Sequence, residues 1–168
     1  ECYDISNTQG SNAVGSMVVF ENGQPKPSNY RKFKIDSIDG PNDYLMLREV
    51  LTRRFKRASG QNGKQIRQRQ SATDSREQVW TTLPDLVVID GGKGQLSTAV
   101  QVLLDLGVEG VPLSSLAKQN EELFRPEFAE PIVLAASSPA LMLLQRARDE
   151  AHRFAITYHR QRRSKQSL

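Results

Sequence analysis

Apolar and polar positions change rhythm several times along this chain, and each rhythm predicts a different element. Three early runs carry β-prone residues at short intervals. ECYDIS (1–6) holds Cys2, Tyr3 and Ile5; after the polar turn SNTQGSN, the run AVGSMVVFENG ends on an Asn-Gly turn signal. NYRKFKI (29–35) alternates aromatic or apolar residues with basic ones. Such alternation suits half-exposed strands, so the three runs predict an antiparallel meander.

A helical rhythm follows in GPNDYLMLREVLTRRFKRASG, where Tyr44, Leu47, Val50, Leu51 and Phe55 fall near one face. Pro41 suits the first turn and Gly60 the stop. Between 58 and 78 the one large aliphatic side chain is Ile66, amid Gln, Arg, Ser, Asn and Gly. That segment cannot bury enough apolar surface to order itself and reads as a disordered polar loop. LPDLVVIDGGKGQ (83–95) then packs Leu86, Val87, Val88 and Ile89 into a continuous run, the pattern of a strand covered on both faces. A helix is predicted over 93–106, stopped by Gly107, with further strands in VPLSSLAK (111–118) and EPIVLA (130–135).

The last rhythm is the long helix SSPALMLLQRARDEAHRFAITYHR, with Ser138 as N-cap and Pro139 in first position. Taking about 100° per residue, its apolar stripe is Ala140, Leu143, Leu144, Ala147, Ala151, Phe154 and Tyr158. His152 lies at the edge of that stripe, on a line with Gln145, Arg148 and His159. The element order predicts an α/β fold whose mixed sheet has three antiparallel strands first, then parallel additions, with helices on both faces.

Composition narrows the class. A length of 168 residues accommodates one domain (1–168) with a real core, and 38% hydrophobic with 25% charged residues is globular. No apolar run approaches the roughly 20 residues of a membrane span, so a soluble chain without membrane association is expected. The chain opens on Glu1 rather than Met, as a piece of a longer chain would. Cys2 is the one cysteine, which excludes a disulfide framework and a thiolate zinc cluster and makes a reducing, cytoplasmic setting the default. Net charge is +4. The excess alone says only solubility, but it gathers in RRFKR (53–57), KQIRQRQ (64–70) and a basic C-terminal tail at 160–168. Such clusters are the footprint of a nucleic-acid binder.

Three residues are candidates for chemistry. GGKG lacks the Walker spacing, and Gly92, Gly94 and Ser97 match a dinucleotide fingerprint imperfectly. Asp90 at the end of the strand would also repel a bare phosphate, whereas a divalent cation between them reverses the sign. A nucleotide-binding enzyme using GGKG therefore stands as a weaker alternative. Asp4 follows the first short strand, and if the first and buried strands are neighbours the two carboxylates converge as a hard-cation site. Each aspartate alone reads more readily as a turn or cap residue. His152 could be a metal ligand or general base, or a boundary histidine satisfied by its surroundings.

ECYDISNTQG, MVVFENGQPK, YRKFKI, DYLMLREVLTRRF, LPDLVVIDGGKGQL, LAKQNEELF and SPALMLLQRARDEAHRFAITYHR together resemble the C-terminal endonuclease domain of the bacterial UvrC family of excision nucleases. The resemblance covers nearly all of the chain outside 58–78. It implies a ribonuclease H-like fold and the 5′ incision beside damaged DNA in nucleotide excision repair. It also implies an Asp-Asp-His triad with a divalent metal, Mn²⁺ or Mg²⁺. On this sequence the triad falls on Asp4, Asp90 and His152, as both catalytic and metal-binding residues. Lesion-containing double-stranded DNA and the other excinuclease components, UvrB and the UvrA-loaded complex, are the implied partners of a domain expected to be monomeric. Lys93, Lys118, Arg148 and Arg160 are candidate DNA-backbone contacts, while Asp149 and Glu150 read as solvated or arginine-paired. Asn7 stands where many relatives carry histidine. A catalytically silent DNA-binding platform is the alternative.

Overall fold

The computed structural model describes residues 1–8, 12–35, 42–60 and 80–167. The segment expected as a polar loop lies outside them from residue 61, as does Pro41.

The first two strands run longer than their apolar residues suggest. β1 (Cys2–Thr8) and β2 (Asn12–Val18) form an antiparallel ladder from Cys2↔Val18 to Thr8↔Asn12, so much of the expected polar turn belongs to the strands. Past Val18 the chain does not continue in the sheet. β3 (Phe20–Glu21) and β4 (Gln24–Pro25) make a separate two-stranded hairpin around Asn22 and Gly23, both at positive φ as a tight hairpin turn requires. β5 (Arg31–Ile35) then completes the meander against β2.

Helix α1 (Asp43–Phe55) begins at Asn42, whose side-chain oxygen accepts from the Leu45 N–H at 3.1 Å. β6 (Val87–Asp90) is the covered apolar strand; Leu86, which opens that run, is exposed. α2 (Lys93–Asp105) ends before Gly107, which sits at positive φ as a helix stop. β7 (Leu113–Ala117), β8 (Glu122–Phe124) and β9 (Ile132–Val133) finish the sheet. The sequence reading has no counterpart for β8, a three-residue strand too short for periodicity to register.

Helix α3 (Pro139–Gln166) follows Ser138, whose carbonyl accepts the Met142 N–H at 3.0 Å. The basic stretch expected as a tail is the last turns of this helix. Its buried face is also rotated from the predicted stripe: Leu141, Ala147, Ala151 and Ala155 are buried, while Ala140 and Leu143 are exposed.

The seven-stranded sheet has the order β5-β2-β1-β6-β7-β8-β9. Its first three strands in the chain are antiparallel, β1, β6 and β7 are parallel, and β8 and β9 return antiparallel. Alternation along each strand splits the core in two. Tyr3, Met17, Val87 and Ile89 pack under α1 and α2, whereas Cys2, Val18, Val88 and Leu116 pack under α3. Among the described residues no helix is long and apolar enough to cross a membrane.

Candidate active site under helix α3

Two positions along a strand return a side chain to the same face. Asp4 therefore shares the α3 side with Cys2, and Asp90 shares it with Val88. The parallel ladder pairs Tyr3 with Ile89, so Asp4 and Asp90 follow as the next neighbours on adjoining strands. Asp4 is only 8% exposed. From above, α3 brings His152 Nδ1 to 3.3 Å from Asp4 Oδ2. With the proton on Nδ1 the ring donates to the carboxylate, which leaves Nε2 bare. The His152 side chain is 54% exposed, the edge position that its place on the helix required.

Asp90 carries the electrostatic signature of the site. Burial, then the charge of Asp4, push its carboxyl above the usual range, while Lys118, Arg148 and His152 pull it down. Two carboxylates on one face repel each other and gain from a cation between them. The donor set thus fits a hard divalent ion in kind. Among the described residues, however, no three His, Cys, Asp or Glu side chains are already gathered into a metal-holding group.

The basic candidates divide. Lys118 is exposed just past β7, and Arg148 lies one turn before His152 on α3; both act on Asp90. Arg148 is not free: Nη1 and Nη2 donate to the two carboxylate oxygens of Glu121 at 2.7 and 3.0 Å. Those bonds hold the Glu121 carboxyl below the usual range. Lys93 stands exposed in the first turn of α2, with Nζ 5.4 Å from the Phe124 ring centre. Arg160 is exposed eight residues past His152, about 12 Å farther along the helix, and stands apart from the others. Glu150 pairs with Arg153, as its place among arginines suggested. The side chain of Asn7 lies outside the described residues.

The GGKG turn is closed by the protein's own groups. Gly91 N–H donates to the Leu116 carbonyl at 3.2 Å, and Gly92 N–H donates to Gln95 Oε1 at 3.1 Å. A Cβ on Gly94 would lie 2.5 Å from the Tyr44 hydroxyl oxygen. Tyr44, expected on the buried face of α1, instead lies over α2 and is 50% exposed. The glycines make room for packing, and this weakens the nucleotide reading.

Sequence reasoning missed Glu121 and Ser16. Ser16 is paired with Asp4 on the ladder, and its buried hydroxyl has no hydrogen-bond partner among the described residues. Nothing local marked it. Nor did spacing mark Glu121, because its pairing with Arg148 depends on α3 covering the β7–β8 loop.

A family profile described as the UvrC RNAse H endonuclease domain matches residues 1–156. UvrABC system protein C of Dehalococcoides mccartyi is 52% identical over 168 residues, covering 100% of this chain and 26% of that relative. The proteins of the same name from Desulforudis audaxviator and Moorella thermoacetica are each 50% identical, over 100% and 98% of this chain and 27% and 24% of their own lengths. The chain thus spans about a quarter of the relatives it matches. With a mixed sheet of this order, Asp4 and Asp90 at neighbouring strand positions and a profile match over most of its length, the chain belongs to the UvrC RNase H endonuclease domain family.

Proposed function

We propose that this domain hydrolyses a DNA phosphodiester bond with a divalent cation, Mn²⁺ or Mg²⁺, and that it supplies the 5′ incision beside a lesion in nucleotide excision repair. The observation that carries the reading is the neighbouring placement of Asp4 and Asp90 under His152. Asp4 and Asp90 would hold the cation, with His152 as a further ligand or as the base. When bound, such an ion offsets charge building on a phosphodiester and makes water more acidic.

The chain's own residues do the rest. A proton on His152 Nδ1, donated to Asp4, would leave Nε2 able to take a proton from an attacking water. Lys118 and Arg148 supply positive charge beside Asp90, where a scissile phosphate would otherwise meet two carboxylates. Lys93 and Arg160 are exposed, where a duplex backbone could run. Contacts of this kind position DNA without reading its sequence, which suits cutting directed by partner proteins such as UvrB and the UvrA-loaded complex.

The test is nicking of a supercoiled plasmid in Mn²⁺ or Mg²⁺ by the wild type and Asp90→Ala. Loss of nicking in the variant supports the reading. Equal nicking by both proteins overturns it. Duplex binding without nicking by either would favour a silent platform.

A further inference from the structure

The loop between β7 and β8 has a backbone that needs explaining. Asn120 and Glu121 are consecutive non-glycine residues at φ 62° and 50°. Left-handed conformations of this kind persist where the surroundings hold them, and they concentrate at functional sites. What holds this pair is α3. From its line along α3, Arg148 grips Glu121 through both guanidinium Nη groups, at 2.7 and 3.0 Å. The next residue on that line of the helix, His152, contacts Asp4. One ridge of α3 therefore fixes both the first aspartate and the loop that starts at Lys118.

We propose that Glu121 is a positioning residue: its two-point grip on Arg148 pins the 118–121 loop to α3, so that Lys118 and Arg148 form one cationic wall beside Asp90 that receives the scissile phosphate. Without Glu121 the Arg148 guanidinium is free to swing toward Asp149, whose Oδ1 is already 3.8 Å from Nε. Lys118 then loses the anchor of its loop. A single arginine or lysine at a surface is a diffuse charge; two held at fixed places match the fixed position of a phosphate. The proposal rests on the nuclease reading above.

The experiment compares wild type, Asp90→Ala, Glu121→Ala and the charge swap Glu121→Arg with Arg148→Glu. Plasmid nicking and thermal melting are measured on each. Nicking by Glu121→Ala should fall about 10- to 100-fold, the scale of a misplaced positioning group. The swap should restore the melting midpoint by remaking the ion pair, yet leave nicking as low as in Glu121→Ala, because a carboxylate now faces Asp90. Recovery of nicking in the swap would reduce Glu121 to a structural tie and overturn the proposal. Wild-type nicking by Glu121→Ala would overturn it as well. Failure of the nuclease reading itself looks different, because Asp90→Ala would then nick like wild type.

Discussion

His152 of α3 places Nδ1 3.3 Å from Oδ2 of Asp4 on β1, so a residue near the end of the chain fixes one near its beginning. The contact is half-exposed on the histidine side and buried on the aspartate side. His152 contributes little to the core, since the buried face of α3 beneath it is Ala147, Ala151 and Ala155. His152→Ala is therefore expected to lower nicking about 10²- to 10⁴-fold, the usual contribution of a positioned acid or base. Its melting midpoint should stay near the wild-type value. A midpoint lowered as far as that of a core variant would show the pair to be structural.

Asp90 should behave in the opposite way to a stabilising residue. Burial and Asp4 raise its pKa in the folded state. An acid with a raised folded pKa binds its proton more tightly when folded. Its stabilising contribution is present below the ordinary carboxylate value of about 3.9 and disappears as pH rises through the folded value. Above that window the charged form weakens the fold. Asp90→Asn, measured in chelator, should melt higher than wild type at neutral pH, and the gap should close as pH falls toward about 4. The same variant should not nick. A wild-type protein more stable than Asp90→Asn at neutral pH would show that the nearby cationic groups outweigh burial and Asp4 together.

Periodicity made the meander, the covered strand and the long helix readable, because each is a local pattern of apolar spacing. It failed where a distant neighbour decides. Tyr44 has the spacing of a core residue, yet Gly94 lies close enough to take its ring, and it stays half-exposed over α2. Ala140 and Leu143 look like core, but the position of α3 on the sheet buries Leu141 and Ala155 instead. The site shows the same division. Asp4, Asp90 and His152 could be named singly, but their adjacency depends on β1 lying beside β6, which no spacing encodes. Glu121 becomes visible only once α3 covers the β7–β8 loop.

A second ion pair, far from the chemistry, carries stability. Arg54 is fully buried on α1 and donates from Nη2 to Glu1 Oε1 at 2.6 Å, with a further bond to the Thr82 carbonyl at 2.8 Å. The Tyr3 hydroxyl donates to the other Glu1 oxygen at 2.5 Å. Glu1→Ala strands a buried guanidinium and should cost about 3–5 kcal/mol in denaturant unfolding. Replacing both partners, with Glu1→Leu and Arg54→Met, should cost less than Glu1→Ala alone, because no charge is then left unpaired. A double variant less stable than Glu1→Ala would show that the pair outweighs its own desolvation.

Two glycines look alike in sequence and should respond differently to alanine. A Cβ on Gly15 would lie 2.4 Å from Val50 Cγ2, and one on Gly94 would lie 2.5 Å from the Tyr44 hydroxyl oxygen. Val50 is fully buried on α1, and its branched side chain has one preferred rotamer in a helix. The clash at Gly15 must therefore push α1 away from the sheet, as overpacking does, at about 1–3 kcal/mol. Tyr44 is half-exposed, so its ring can swing into solvent and Gly94→Ala should cost well under about 1 kcal/mol, as most surface changes do. Denaturant melts of the two variants decide this. The double variant Gly15→Ala with Val50→Ala should lose less than the sum of its parts, since each change makes room for the other. Equal losses at Gly15 and Gly94 would mean that Tyr44 is held more tightly than its exposure implies.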